Sequence, residues 1–149
     1  MNADHKLKTI RMISIIAIIA AIILLFCWIS QAFHTRRVLT ECQEILEEAN
    51  SCFSEYLETG NDASYTAGVE AFREFSDIYY SSDEFPYKSS DVLIALINLE
   101  ERKARKRDIR EGLLPVLTTL ADNPKERIPS EGNLYYFNFL VDDRSWKGE

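Results

Sequence analysis

The chain has 149 residues and a formal charge of −7 at pH 7, a length that allows one modest domain beside a membrane segment. The charge is uneven: residues 1–11 carry a net +2, whereas residues 38–149 hold 12 Lys and Arg against 23 Asp and Glu, a net −11. Nucleic-acid binding depends on neutralising phosphates, so such an acidic domain argues against a nucleic-acid partner.

An apolar run without a charged side chain covers residues 12–33. As a helix this run would span roughly 33 Å, the thickness of the hydrocarbon core of a bilayer. Trp28 and Phe33 lie near its end, where aromatic side chains favour the membrane interface. A cleaved signal peptide is the rival interpretation, but the run is longer than the apolar part of such peptides. We predict an uncleaved transmembrane helix that anchors the chain in a lipid bilayer.

The basic residues beside this run indicate its orientation. Three precede it and two follow it: Lys6, Lys8, Arg11, Arg36 and Arg37. Because positively charged flanks stay in the cytoplasm, this bias of three to two favours a short cytoplasmic tail over residues 1–11. The predicted protein is therefore a single-pass signal-anchor protein of the cell membrane, with its domain outside the cytoplasm.

An antiparallel helical hairpin is predicted over residues 36 to about 83. Apolar side chains first repeat at spacings of three and four residues, the period of an α-helix with one buried face. These are Leu39, Cys42, Leu46, Ala49, Phe53 and Tyr56. Gly60 suits the left-handed position that ends a helix, and Asn61 or Asp62 can cap the next one. The second stripe, from Tyr65 to Tyr79, must stop before Phe85-Pro86 because the residue before proline avoids helical geometry.

A third helix is expected to begin after a cap at Ser89 or Ser90. The stretch Val92–Ile97 is apolar on every side, which predicts that it is the most buried part of the domain. A further stripe runs from Ile109 to Leu120. Gly112 and Pro115 interrupt that stripe, which indicates a kink or a fresh helix start, and residues 122–124 close it.

A basic run follows the third helix and has two interpretations. Its members are Arg102, Lys103, Arg105, Lys106 and Arg107. The first interpretation is a solvated face with ion pairs Glu101–Arg105 and Arg107–Glu111 at a spacing of four residues. The second is a docking patch for an acidic partner or for anionic lipid head groups.

The C-terminal segment, residues 125–149, is predicted to contain a loop over residues 125–132 and then an aromatic cluster. Residues 134–141 fit a strand or a short helix equally well. The cluster either packs over the bundle as its last element or forms an apolar contact surface for another protein. Its candidate partner-binding residues are Tyr135, Tyr136, Phe137 and Phe139.

Residue types needed for common catalytic sites are missing from the predicted domain. His5 and His34, the two histidines of the chain, flank the apolar run, which removes catalytic triads and histidine-based metal sites. Cys42 and Cys52 lie about 15 Å apart on one predicted helix, too far for a disulfide. We expect both to be small buried side chains, with an intermolecular bridge through Cys42 as the alternative. The prediction is a non-enzyme without metal or cofactor.

The segment Tyr56–Asn61, followed by Tyr65 and Val69–Phe72, resembles a known family. It is similar to the first helical hairpin of CHASE3 and related four-helix-bundle sensor domains of bacterial histidine kinases and chemoreceptors. The resemblance covers residues 36–80 and implies an extracytoplasmic sensor. Such sensors return to the membrane and reach a signalling module, whereas this sequence shows no second apolar run, which favours an accessory role.

A second resemblance links Tyr65–Phe75, Tyr79–Ser82 and the helix at Val92 to the helix pairs of membrane-anchored tetratricopeptide scaffolds. It implies a stack of paired helices rather than one bundle.

The sequence as a whole predicts a mostly α fold, in which an N-terminal transmembrane helix precedes a helical hairpin or bundle domain over residues 34–124. The predicted function is a non-catalytic, membrane-anchored binding module, sensor-like or an accessory subunit of a membrane protein assembly. The alternative is a tetratricopeptide-like scaffold or chaperone for envelope proteins. The expected partners are the bilayer and another membrane or envelope protein, and a homodimer is left open.

Overall fold

A computed structural model of the chain describes residues 3–124 and 133–146, and all regular structure in these ranges is helical. The elements are α1 (Ala3–Thr59), α2 (Asp62–Ser81), α3 (Ser90–Glu101), α4 (Lys106–Asp108), a π-helical turn (Ile109–Leu113), α5 (Leu114–Asp122) and α6 (Asn133–Trp146). The prediction of a mostly α fold is thus confirmed for the described residues. The loop predicted over residues 125–132 lies outside the described residues.

Residues 1–37 form a compact unit separate from residues 38–149. Every described side chain from Lys6 to His34 is exposed, including the large apolar ones. Among the described residues, one helical stretch, Lys6–Thr59, is long and apolar enough to cross a membrane. Its apolar surface suits hydrocarbon, because helical hydrogen bonding leaves no backbone group in need of water.

The predicted hairpin between α1 and α2 is confirmed in the second unit. Gly60 has a φ of +72° and donates its N–H to the carbonyl of Tyr56 over 2.8 Å, which closes α1. The Oδ1 atom of Asn61 accepts a hydrogen bond of 3.0 Å from the N–H of Ala63 and caps α2. The ring of Tyr65 then packs edge-on against Tyr56, with 5.0 Å between ring centroids.

The connection from α2 to α3 follows the sequence signals closely. α2 ends at Ser81, before Phe85-Pro86, and the hydroxyl of Ser89 accepts from the N–H of Asp91 at the start of α3. The ammonium group of Lys88 donates to the carbonyls of Tyr79 and Ser82. It thereby supplies hydrogen bonds at the end of α2, where carbonyls have no partner within the helix.

The interruption predicted at Gly112 and Pro115 takes the form of the π-helical turn, after which α5 starts afresh with Pro115 in its first turn. Proline has no N–H to donate, so the α-helical ladder cannot run through this position, and the N–H of Leu114 instead bonds to the carbonyl of Ile109. A Cβ atom on Gly112 would lie 2.7 Å from the Cα of Phe137. Glycine therefore allows α6 to cross the turn with the two backbones in close approach.

The segment 134–141, whose structure the sequence left open, is helical and belongs to the bundle. Leu134, Phe137 and Val141 are buried in the shared core, and α6 packs on α3 and on the π-helical turn. One hydrophobic core joins side chains of all the main helices of this unit. Its largest fully buried members include Phe53, Phe72, Phe75, Phe137, Leu46, Leu99, Ile109 and Leu117.

The prediction that Val92–Ile97 is the most buried part of the domain is wrong. Val92, Ala95 and Leu96 are buried, but Leu93, Ile94 and Ile97 are 49%, 40% and 39% exposed. The core lies under one face of α3, with α2 and α6 against its two flanks. Its outer face has no helix over it among the described residues.

Candidate functional site

The exposed face of α3 is continuous with an exposed stripe on α6. Asn138 reaches α3 through a hydrogen bond from the side-chain amide of Asn98, and Asp142 forms an ion pair with Arg102 at the end of α3. The flank of α6 that holds these two residues is therefore the flank next to α3.

Tyr135 and Phe139 precede Asp142 at helical spacings of seven and three residues, so all three lie in one row on α6. These two aromatic side chains are 52% and 53% exposed. They border the outer face of α3 and extend it. We name the combined surface of Leu93, Ile94, Ile97, Tyr135 and Phe139 the α3–α6 apolar patch.

The size of the α3–α6 apolar patch sets it apart from ordinary scattered surface side chains. Each of its five members exposes between 39% and 53% of its surface. At about 80–100 Å² apiece, they make up roughly 400 Å² of contiguous apolar area. Patches of this size on small domains frequently form binding sites.

The four aromatic candidates of the C-terminal cluster divide between surface and core. Tyr135 and Phe139 belong to the α3–α6 apolar patch, whereas Phe137 is fully buried against Gly112. Tyr136 is 43% exposed on the other flank of α6, on the side of Arg107, whose pKa it contributes slightly to raising after the main effect of Glu111. The structure therefore brings two of the four together with α3.

Sequence reasoning missed the three α3 members of the patch. Their signal was present, since a helix that is apolar all round must be covered on every side or leave an apolar face exposed. Asp91 and Asn98 mark the flank toward α6, where both are buried and take part in hydrogen bonds with Asn138. The sequence alone does not identify this polar flank, because the hydrogen-bond partner of both residues, Asn138, lies about 40 residues further along the chain.

Helical spacing and two ion pairs place four carboxylates and two guanidinium groups of the described residues beside the α3–α6 apolar patch, where they form its border. The carboxylates are those of Asp77, Glu100, Glu101 and Asp142, and the guanidinium groups are those of Arg73 and Arg102. The Nε atom of Arg73 lies 2.8 Å from Oε1 of Glu100, and Arg102 pairs with Asp142. The border therefore keeps a net charge of −2.

The basic run, the second set of candidate partner-binding residues, makes contacts within the domain. Lys103 lies 2.9 Å from the carboxylate of Asp62 at the start of α2, and this hydrogen bond raises the pKa of Lys103. The ammonium group of Lys106 donates to the carbonyl of Leu57 near the end of α1. Lys106 thus places a cation at the C-terminal end of α1, where the helix dipole favours positive charge, whereas Lys103 pairs with an acidic side chain in the first turn of α2.

The arginines of the basic run match the sequence prediction in part. Arg107 lies 3.1 Å from Glu111 in the predicted pair, and its pKa is raised chiefly by this hydrogen bond. The helical spacing predicted for Glu101 and Arg105 does not exist, because α3 ends at Glu101 and Arg105 caps the next helix. The run is exposed, as expected for a solvated face, apart from the buried Ala104 within it.

Other possible sites in the described residues offer little chemistry. No three His, Cys, Asp or Glu side chains in these ranges are placed to hold a metal ion. An open pocket between α2 and α3 contains the Arg73–Glu100 ion pair. Cys42 is fully buried, and burial together with the charge of Glu41 raises its pKa to about 11, which disfavours an intermolecular bridge.

Comparison of the chain with protein family models, with characterised proteins and with solved structures finds no match. A function is therefore inferred from the α3–α6 apolar patch and from the membrane-length helix.

Proposed function

We propose that this protein is a non-catalytic, membrane-anchored helical module that binds another protein through the α3–α6 apolar patch. It acts outside the cytoplasm as a sensor-like domain or accessory subunit of a membrane protein assembly. The observation that carries this proposal is the patch itself. Five large apolar side chains lie together on the surface of an acidic domain, although the domain has an extensive core.

The energetics favour a partner that shares the membrane. Burying roughly 400 Å² of apolar surface is worth about 10 kcal/mol at about 25 cal/mol per Å². Association costs about 4–15 kcal/mol in lost freedom of motion. The patch alone thus supports only weak binding from free solution. Confinement of both partners to one bilayer raises their effective concentration and removes part of that cost.

The membrane anchor and the orientation are supported by the exposed apolar helix and by the charge bias beside it. The side chains of residues 12–33 have no protein surface against them in the described residues. The two flanks carry three and two basic residues, with the excess on the N-terminal side.

One shared core supports a bundle-type module over the tetratricopeptide-like scaffold. Repeat scaffolds stack helix pairs so that each pair contacts mainly its neighbours, and they form a concave binding surface. Here α6 instead packs on α3 and on the π-helical turn, and the same core includes α1 and α2. The exposed apolar surface lies on the outer face of α3 and on α6.

Site-specific photo-crosslinking in cells that express the full chain tests the proposal. A photo-reactive amino acid is placed at Ile97 or Tyr135 in the patch, or at Glu44 on the exposed face of α1 as the matched control. We expect a discrete crosslinked product from the two patch positions that the Glu44 position does not give. Equal products from all three positions, or none from the patch, would overturn the proposal.

A further inference from the structure

We propose that the partner segment covering the α3–α6 apolar patch is a basic amphipathic helix, with one apolar stripe flanked by Lys or Arg. This inference rests on the proposed function and names the chemistry of its partner.

The acidic border lies along the α2 side and at the C-terminal end of the outer face of α3. α2 and α3 run antiparallel, since Arg73 meets Glu100 while the hydroxyl of Tyr80 accepts from the N–H of Leu93. Asp77 lies between Arg73 and Tyr80 on α2, and it is therefore level with the turn of α3 that holds Leu96 and Ile97. An apolar segment that covers Ile97 brings its flank next to this carboxylate.

At the C-terminal end of α3, Glu101 continues the row of Ile94 and Ile97 at helical spacing. The neighbouring guanidinium of Arg102 is drawn toward α6 by Asp142. A cation on the partner would thus meet carboxylates beside Ile97 and at the end of α3, whereas an acidic flank would be repelled. Charge of this kind selects partners and speeds their association more than it adds affinity.

A second copy of this chain fits the patch less well. Two patches of roughly 400 Å² give about 800 Å² in total, below the 1,200 Å² or so typical of stable specific interfaces. A symmetric contact would also bring two borders of net charge −2 together, on domains that each carry a net −11 over residues 38–149. A basic partner removes the charge objection, and confinement to the same bilayer compensates for the small contact area.

The length of α3 sets the length of the complementary segment. Its 12 residues extend about 18 Å, so a partner helix of about 12 residues, or three turns, covers it. Helices pack with about 8–10 Å between their axes, close enough for an apolar stripe at spacings of three and four residues to contact Leu93, Ile94 and Ile97. Tyr135 and Phe139 then form the second wall of the contact.

The test uses the full chain in nanodiscs of zwitterionic lipid and two synthetic helical peptides of about 14 residues. Both peptides carry the same leucine stripe, one with lysine and the other with glutamate at all remaining positions. Empty nanodiscs measure binding to lipid alone. We expect the Leu/Lys peptide to bind the chain at least roughly tenfold more tightly than the Leu/Glu peptide, and less tightly as salt rises.

Variants of the chain locate the binding. Ile97→Ser removes apolar contact and should weaken binding of the Leu/Lys peptide roughly tenfold, and Asp77→Asn with Glu101→Gln should weaken it and reduce its salt dependence. Glu44→Gln with Glu48→Gln removes the same charge from the exposed face of α1 and should have no effect. If both pairs of substitutions weakened binding of the Leu/Lys peptide equally, the peptide would be attracted by the overall negative charge of the domain, and the inference would be overturned.

Failure of this inference can be told from failure of the proposed function. If patch crosslinks form in cells while the Leu/Lys peptide binds no better than the Leu/Glu peptide, the module binds a partner of another chemistry. If neither crosslinks nor peptide binding involve the patch, both proposals are wrong.

Discussion

At the residue scale, Gly60 illustrates how one side chain decides a turn. Its φ of +72° lies in the left-handed region, where a Cβ atom costs roughly 1 kcal/mol or more. A Cβ at this position would also lie 3.3 Å from the Nζ atom of Lys106, which donates to the carbonyl of Leu57. The same residue thus ends α1 and leaves room for the lysine.

We predict that Gly60→Ala destabilises the domain by about 1 kcal/mol, because alanine strains this left-handed backbone. Thermal unfolding of the full chain in detergent, followed by circular dichroism, measures the loss. Gly60→Asn is the matched control, since asparagine adopts the left-handed conformation more readily and should cost less. Equal effects of alanine and asparagine would contradict a loss caused by backbone strain.

A second residue-scale prediction concerns Cys42, whose pKa is raised from 9.0 to about 11 by burial and by Glu41. In the unfolded chain the thiol ionises at lower pH than in the folded chain. Its contribution to stability is therefore fully present below pH 9.0 and is lost as the pH rises toward about 11.

Between about pH 8 and about pH 10.5, the unfolding temperature of the wild type should consequently fall further than that of Cys42→Ala. The cavity left by the variant is the same at both pH values. The difference between the decreases in unfolding temperature of the wild type and the variant therefore measures the effect of ionising the Cys42 thiol. Parallel falls in the two proteins would mean that Cys42 ionises as easily in the folded state as in the unfolded state.

At the element scale, the α3–α6 pair depends on a buried polar contact inside an apolar interface. The Nδ2 atom of Asn98 donates to Oδ1 of Asn138 over 3.1 Å, and Nδ2 of Asn138 donates to the carbonyl of Asp91 over 3.1 Å. Such a network permits few alternative alignments of two helices, because a shift leaves buried amides without partners. It therefore also fixes the alignment of the two halves of the patch.

A double-mutant cycle measures this contact. Asn138→Leu alone should cost about 1–3 kcal/mol, because it removes the partner of the buried amide of Asn98. Asn98→Leu with Asn138→Leu should cost less than the sum of the single changes, with a coupling of roughly 1 kcal/mol or more. The exposed pair Asn50 and Thr118, whose side chains lie 3.4 Å apart, is the control and should show little coupling. Additive costs at Asn98 and Asn138 would contradict a shared network.

The elements also show what periodicity and capping residues can predict. The ends of α1 and α2 follow from Gly60, Asn61 and the proline after Phe85, because these signals act within a few residues. The exposure of Ile94 and Ile97 depends on the position of α6, about 40 residues further along the chain. An apolar segment without a polar face indicates that an apolar side can stay exposed but not which side, so local patterns could not identify Leu93, Ile94 and Ile97.

At the scale of the whole molecule, the main prediction is orientation in the membrane. In a Cys52→Ser background, a membrane-impermeant thiol reagent should label a cysteine introduced at Glu58 in intact cells, because the positive-inside bias places the domain outside. A cysteine introduced at Asn2 should be labelled only after the cells are opened. Labelling at Asn2 alone in intact cells would reverse the orientation and exclude an extracytoplasmic partner.

The π-helical turn Ile109–Leu113 has a consequence for the length of the chain. An α-helix rotates by about 100° per residue, so one added residue normally turns every later side chain away from its former neighbours. A π turn accommodates the extra residue locally and leaves the phase of the following helix unchanged. Loss of the exposed Arg110 would then remove the extra residue, with Pro115 still in the first turn of α5, and keep Val116 and Leu120 directed at the core. A one-residue deletion within α2 would instead rotate its later core side chains by about 100°, away from the core.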